Sequence, residues 1–171
     1  MLPELIGITG FKRSGKDTVA QILVELEGYV RLAFADALKQ EVAAFLGISL
    51  DELERGKETW RSVLQLHGCA ARAVDSYHWI KLVEDKWYAN CPKRAVISDV
   101  RFENEAEWVH LLGGTILRTV RDGIVAADPV WHESERRVAN IRADYTIDAS
   151  SVEGLQARTA AWIESMVRDD V

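Results

Sequence analysis

The feature that most constrains this chain is a short stretch near its start, Gly10-Phe11-Lys12-Arg13-Ser14-Gly15-Lys16-Asp17-Thr18. It lies between an apolar run, Leu5-Ile6-Gly7-Ile8-Thr9, and a segment whose Val19, Ile22, Leu23 and Leu26 recur at helical spacing. A strand that breaks at a glycine and restarts as a helix near Lys16 leaves a glycine-bounded bend at the helix N-terminus. Glycines let the backbone turn tightly, so that successive N–H groups converge, and the positive end of the helix points at the same spot. Lys12, Arg13 and Lys16 add side-chain charge there. Gly-x4-Gly-Lys arises by chance in about one chain in twenty of this length. The strand–bend–helix context makes such an accident several-fold rarer, so the stretch is read as a phosphate-binding loop, or P-loop. Its Gly10, Lys12, Arg13, Ser14, Gly15, Lys16, Asp17 and Thr18 are the expected ATP-binding residues, with Lys16 reaching the β and γ phosphates.

The remainder fits a single α/β domain over residues 1–171. Apolar residues make up 48% and charged residues 28%, the balance of a chain with an ordinary core, which excludes a disordered or collagen-like polymer. No apolar run approaches the ~18 residues of a membrane span, and the N-terminus lacks the basic and apolar regions of a secretory leader. The expected location is the cytoplasm. A net charge of −6, from 21 basic and 27 acidic residues, argues against tracking a nucleic acid polymer, which needs a basic face. Cys69 and Cys91 have no His or Cys at ligand spacing, so they read as reduced thiols rather than a zinc site.

Strands are expected at 29–33, 95–98, 115–120 and 145–147, alternating with amphipathic helices, which predicts a mainly parallel sheet of about five strands. Asp36 is expected to cap a helix with Leu38, Val42, Phe45 and Leu46 on its apolar face, closed by Gly47. Residues 51–90 read as all-helical. Trp60, Val63, Leu64 and His67 share one face there, and Trp79, Ile80, Val83 and Trp87 another. A helix over 103–112 stops at Gly113-Gly114. Residues 122–142 are weakly periodic and read as a mobile, lid-like segment with a short helix. Val152, Leu155, Trp162, Ile163 and Met166 mark a closing helix.

The loop departs from the commonest pattern, because Asp17 follows the lysine and the hydroxyl comes one place later, at Thr18. Adenylate-kinase-like enzymes shift the threonine in the same way, as Gly-Lys-Gly-Thr, which points toward small-molecule kinases rather than GTPases and motors. A GTPase switch would also need a base-reading Asn-Lys-x-Asp, and the sequence has none. Asp17 either touches magnesium through water or stabilises the helix N-terminus.

A donor loop requires an acceptor site, and three constellations qualify. Ala35-Asp36-Ala37-Leu38-Lys39 resembles the Gly-Asp-x-Leu-Arg stretch of adenylate kinases. Lys39 would hold the acceptor's phosphate and Asp36 would orient it or contact the sugar; a helix cap beside a surface lysine fits the stretch equally well. Arg61, Gln65, Gly68 and Arg72 fall on one helix face. Val63 and Ala70 lie opposite, with Leu64 beside them. Two cations and an amide around a glycine that permits close approach suit a base edge and a phosphate, although a charged stripe on a helix is more often just a solvated face. Ser98-Asp99-Val100-Arg101 ends the best strand, where ligands of open parallel sheets bind. Asp99 would organise magnesium and Arg101 a phosphate; otherwise Asp99 caps the next helix. Arg118, Arg121, Arg136, Arg137 and Arg142 crowd the lid region, which could close over the donor. His132-Glu133-Ser134-Glu135 reads more readily as a helix start than as a general base.

Taken together these stretches resemble the bacteriophage deoxynucleoside monophosphate kinases. The match is carried, in order, by residues 10–18, by Phe34-Ala-Asp-Ala-Leu-Lys39, and by Leu64-Gln65-Leu-His-Gly68 with Arg72. It continues through Ile97-Ser-Asp-Val-Arg-Phe-Glu-Asn-Glu105 and His132-Glu-Ser-Glu135, and covers about residues 5–155. The resemblance implies a P-loop NTPase three-layer fold with a helical acceptor-binding insert at 51–90 and a short lid at 122–142. It implies transfer of the ATP γ-phosphate, with Mg2+, to a dNMP to give dNDP and ADP. Lys16, Arg13 and Thr18 would hold ATP, and Lys39, Arg61, Gln65, Arg72 and Arg101 would surround the dNMP, with Asp36 beside Lys39. Asp17 and Asp99 would hold the metal through water. Arg121 and Glu135 match family positions on the donor or lid side; Arg121 joins Lys16, Arg13, Asp99 and Arg101 as a catalytic candidate, and Glu135 is taken as substrate-binding. The expected partners are ATP and a dNMP, without nucleic acid polymer or membrane, and homodimerisation stays open. The chain is also similar to animal-type phosphomevalonate kinases, through an Arg-x-Ser-Gly-Lys-Asp loop, a Ser-Asp-x-Arg strand end and an x-Glu-Ser-Glu stretch. Phosphomevalonate is therefore the alternative acceptor, although Thr18 and the Gln65–Arg72 stripe favour a nucleotide. Where the phage pattern reads Gly-Thr, this chain has Gly68-Cys69.

Overall fold

Five strands, β1 (Leu5–Thr9), β2 (Val30–Leu32), β3 (Ala95–Val100), β4 (Thr115–Val120) and β5 (Tyr145–Asp148), form one sheet in the order β2-β3-β1-β4-β5. The computed structural model describes residues 2–123 and 133–168, and within them every strand pairing is parallel. The pattern follows from composition. β1 is apolar or small throughout and wholly buried, as a central strand covered on both faces must be. β2 and β5, at the edges, leave most of their residues exposed. β1 lies between β3 and β4, so the chain passes to one side of it and later crosses to the other. The carboxyl end of β1 is thus the switch point, where an open parallel sheet leaves a crevice for a ligand.

Alternation along β1 builds the layers. Ile6 and Ile8 share a core cluster with Val19, Ala20 and Leu23 of α1 (Lys16–Glu27) and with Leu155, Trp162 and Ile163 of α8 (Val152–Arg168). Gly7 faces the other way, where a Cβ would sit 3.3 Å from Val109 of α6 (Glu103–Leu111). Helices therefore cover both faces of the sheet, as expected. α7 (Glu133–Arg137) and a 3-10 turn at Val138–Asn140 lead back toward β5. Among the described residues, no helix is long and apolar enough to cross a membrane.

Residues Ala33–Asn90 form a second compact unit, distinct from the unit made by Met1–Leu32 with Cys91–Val171. It is helical, as the sequence predicts: α2 (Phe34–Leu46), α3 (Leu50–Arg55), α4 (Lys57–Val74) and α5 (His78–Asn90). Val42, Ala43, Leu53 and Leu64 are its buried cluster, with Leu38, Leu46, Trp60 and Val63 packed around them. Two local expectations are corrected. Asp36 does not cap α2: the helix opens at Phe34 with an extended Ala33 before it, and Asp36 lies in the first turn, where an acid complements the helix dipole. Phe45 is not on the inward face; the buried arc takes in Val42 and Ala43 instead and leaves Phe45 81% exposed.

Candidate active site

The bend after β1 is held in a shape that few side chains tolerate. Gly10 has φ +143°, and a Cβ there would lie 2.5 Å from Thr119 Oγ1 and 2.6 Å from both Ser14 Oγ and the Thr119 carbonyl. Gly15 has φ +93° directly before α1, and its missing Cβ would meet Leu155 at 2.9 Å. Between them Arg13 takes a left-handed φ of +67°, a conformation that persists in a non-glycine residue only where its surroundings fix it. Those surroundings are a turn closed by the Ser14 N–H donating to the Phe11 carbonyl at 3.1 Å and a buried contact of 2.6 Å between the Ser14 and Thr119 hydroxyls. The Ser14 side chain thus ties the loop to β4.

Lys16 is 7% exposed. Its ammonium donates to the carbonyls of Gly10 and Phe11, each at 2.7 Å. Burial, and then the nearby Arg101 guanidinium, lower its pKa to about 8, while Glu135, Asp17 and Asp99 pull in the opposite direction. The first-turn N–H groups of α1, at Lys16, Asp17 and Thr18, have no acceptor within the helix. The loop therefore combines a desolvated cation, held on its own carbonyls, with converging backbone donors.

The end of β3 adds acid and base. Asp99 is half-buried, and it does not cap α6, whose cap position is Phe102. The amides of Arg101 and Phe102 instead donate to Glu105 Oε2, at 2.8 and 3.2 Å, so Glu105 fixes the backbone that carries Arg101. The Arg101 guanidinium pairs with Glu135, whose other carboxylate oxygen accepts from the Lys12 N–H at 2.8 Å. One carboxylate thereby joins the loop to the strand end.

Among the described residues, no three His, Cys, Asp or Glu are grouped to hold a metal ion. Magnesium asks for less, since it takes one or two carboxylates and completes its shell with substrate phosphates and water. Asp17 and Asp99 both act electrostatically on Lys16, and beside Asp99 the Ser98 hydroxyl, 1% exposed, has no partner among the described residues. The carboxylate oxygens of Asp17 and Asp99, both near enough to act on Lys16, are hard donors that fit such an ion, whereas Ser98 precedes Asp99 on β3 and faces the other side of the strand.

Of the lid region, residues 124–132, including His132, lie outside the described residues. Arg121 and Arg136 are exposed. Arg137 pairs with Glu133 at 3.1 Å and with Glu103 at 3.5 Å. Arg118 has a structural task, donating to the carbonyls of Ile141 and of Val138, and burial lowers its pKa.

In the helical unit two of the cations expected to hold the acceptor, Lys39 and Arg61, hold carboxylates instead. Lys39 pairs with Glu54 and sits 3.7 Å from Asp36; the hydrogen bond from Lys39 holds the Glu54 carboxyl below the usual range. Arg61 is exposed and pairs with Glu58. Gln65 is half-buried. Arg72 donates to the Gly68 carbonyl at 3.1 Å. Gly68 is itself buried: a Cβ there would sit 3.5 Å from Leu38, and Trp79 Nε1 donates to its carbonyl at 3.4 Å. The close approach that this glycine permits is made by protein side chains. Ala70, expected on the inward side, is exposed, so the stripe of Arg61, Gln65 and Arg72 borders the buried edge of Leu64 and Gly68 rather than opposing it.

Sequence reasoning assigned no role to Glu105 or Thr119. Glu105 was legible as an acid in the first turn of a helix that follows a strand end. Thr119 carries no local signal, because only the parallel register of β1 and β4 brings it to the loop.

A five-stranded parallel sheet, helices on both faces and a phosphate loop at the switch point define a P-loop kinase fold. Solved structures share it: TT1252 from Thermus thermophilus has a TM-score of 0.59 at 19% identity, over 97% of this chain and 98% of that one. Dephospho-CoA kinase from Campylobacter jejuni has a TM-score of 0.56 at 11% identity, over 98% and 99% of the two chains. Shikimate kinase from Aquifex aeolicus has 0.51 at 16%, over 95% and 98%. No family model matches the chain. In sequence it is 30% identical over 166 residues to a protein of Acanthamoeba polyphaga mimivirus, named provisionally as a deoxynucleotide monophosphate kinase, covering 81% of this chain and 84% of that one. The chain belongs to the deoxynucleotide monophosphate kinase family, and it is a kinase with a nucleotide-binding P-loop.

Proposed function

We propose that this kinase transfers the γ-phosphate of ATP to a deoxynucleoside monophosphate, giving a dNDP and ADP. The observation that carries the reading is the buried Lys16 ammonium, held on loop carbonyls with Asp99 and Arg101 near enough to shift its pKa. The mimivirus relative supports the choice of acceptor.

Lys16 exchanges the Gly10 and Phe11 carbonyls for β- and γ-phosphate oxygens. The loop and first-turn amides, with Arg13, Lys12 and Thr18, hold the triphosphate. Asp99 and Asp17 would hold Mg2+ through water, and the ion would supply charge neutralisation to the transferred phosphate. On the acceptor side Lys39, Arg61, Gln65 and Arg72 contact the dNMP, Asp36 steadies Lys39, and Arg101 takes the acceptor phosphate. Arg121 supplies charge on the donor side. A phosphate acceptor is already ionised, so no strong base is required, and rate comes from alignment and preorganised charge.

The test is a coupled assay of pure protein with ATP, magnesium and each dNMP in turn, with phosphomevalonate as the competing acceptor. Turnover of at least one dNMP is expected. If none turns over, or if phosphomevalonate is preferred, the reading is wrong.

A further inference from the structure

The phosphate loop meets an anion that belongs to the protein. Glu135 stands on the five-residue helix α7, 123 positions along the chain from the Lys12 amide and 34 from Arg101. It is 8% exposed, and its two oxygens are divided between those donors. A carboxylate removed from water is costly unless charged or N–H partners replace the lost hydration, and here one partner of each kind does so.

The segment that carries Glu135 is itself fastened. Arg137 and Asn140 both reach Glu103 on α6, at 3.5 and 3.1 Å. Arg118 of β4 holds the carbonyls of Val138 and Ile141, and those two side chains are buried. The position of Glu135 is thus set by contacts on α6 and β4, independent of nucleotide. Arg101 is fixed twice: at its backbone by Glu105 and at its guanidinium by Glu135.

We propose that Glu135 is a positioning residue. It aims the Arg101 guanidinium and sets the Lys12 corner of the phosphate loop, acting through both rather than touching the acceptor itself. This rests on the kinase reading above and replaces a substrate contact for Glu135 with an indirect role. Both of its oxygens are already committed within the protein, so it has little left to offer a ligand. A small misplacement of a group that aligns reacting phosphates costs rate more than affinity.

The experiment is a kinetic cycle with E135A, E135Q, R101A and the double variants. Glu135→Ala is expected to lower kcat about 10- to 100-fold, with KM for ATP and for the dNMP within about threefold. Glu135→Gln keeps an acceptor for the Lys12 amide and should recover part of that loss. E135A in an R101A background should cost less than it does alone, because the part of its effect that passes through the Arg101 guanidinium is already lost, leaving only the Lys12 part. A tenfold or larger rise in dNMP KM with kcat unchanged would mean direct contact and overturn the proposal, as would fully multiplicative losses in the double variant. Should E135A fail to fold by circular dichroism, the E135Q and R101A/E135Q pair carries the same cycle. A separate readout needs no turnover: the Arg101 Nη–H resonances should be ordered in the unmodified protein and averaged in E135Q. Unchanged resonances sink the positioning role, whereas an inactive wild type with those resonances lost in E135Q sinks only the assigned reaction.

Discussion

Lys16 and Arg61 are both cations proposed to bind phosphate, yet the stretches that carry them are built on different terms. Lys16 is buried, donates to two backbone carbonyls, and follows a bend in which Gly10 and Gly15 have no room for a Cβ. Arg61 lies on an exposed helix face and is paired with a carboxylate one turn away, as Lys39 is paired with Glu54. The loop is specified by backbone geometry, where one atom too many is a clash. The helix face is specified by side chains that water and neighbouring acids can replace at small cost. Loss of function should therefore be abrupt in the loop and graded on the helices.

The largest effect is expected from Lys16→Ala. It removes an ammonium proposed to bind the triphosphate from a desolvated place, where charge is worth most. We expect kcat/KM to fall by about 10³-fold or more, with circular dichroism and the melting profile retained. Activity within tenfold of wild type would erase the contrast between the two regions. Gly10→Ala comes next and reads stability instead. The added methyl meets the Thr119 carbonyl and two hydroxyls at a φ that disfavours side chains, for a loss of about 2–3 kcal/mol measurable by denaturant titration. Ala at Gly47, where no atom lies within 4 Å, should cost no more than about 1 kcal/mol.

The same contrast explains what could be read without coordinates. The loop, α1 and β4 were legible because strand, glycine and helix signals are local and agree with one another; α1 begins at Lys16 and β4 spans Thr115–Val120, where the sequence places them. Phe45 was misplaced because periodicity locates an apolar arc only to within about one residue, and the small Ala43 shifted its centre. The stripe on α4 was legible as a face, but its relation to the core was not. Which edge is buried depends on Leu38 and Trp79, residues remote in sequence that close on Gly68. The link from Glu135 to Lys12 has no local signature either, since it spans 123 positions.

A pH series sharpens the comparison further. The pKa of Lys16 is lowered to about 8, chiefly by burial, and phosphate binding requires the charged form. Between that value and the unfolded value of 10.5, the unfolded chain holds a proton that the native chain has released. Rising pH therefore adds native-state stability through this group. Nucleotide affinity moves the other way. Above pH ~8 binding must first restore the proton, so affinity should fall, approaching tenfold per pH unit. Calorimetry near pH ~9, in two buffers of different ionisation enthalpy, should report net proton uptake on ATP binding. Flat affinity across this range would mean that the ammonium never changes partners.

The smallest expected effect tests the helical unit on its own terms. Glu54 keeps Lys39 occupied through an ion pair whose carboxylate is about two-fifths exposed, and exposed pairs of this kind contribute only about 0–1 kcal/mol. Glu54→Gln should leave stability nearly unchanged and release Lys39 for the acceptor. The prediction is a fall in dNMP KM of about two- to fivefold, with KM for ATP unaltered. The complementary Lys39→Ala should raise dNMP KM, again without effect on ATP. If Glu54→Gln instead raises dNMP KM, the carboxylate is steadying Lys39 for the acceptor rather than competing with it. The helical unit would then be preorganised in the same sense as the loop, and the contrast between graded and abrupt loss would disappear.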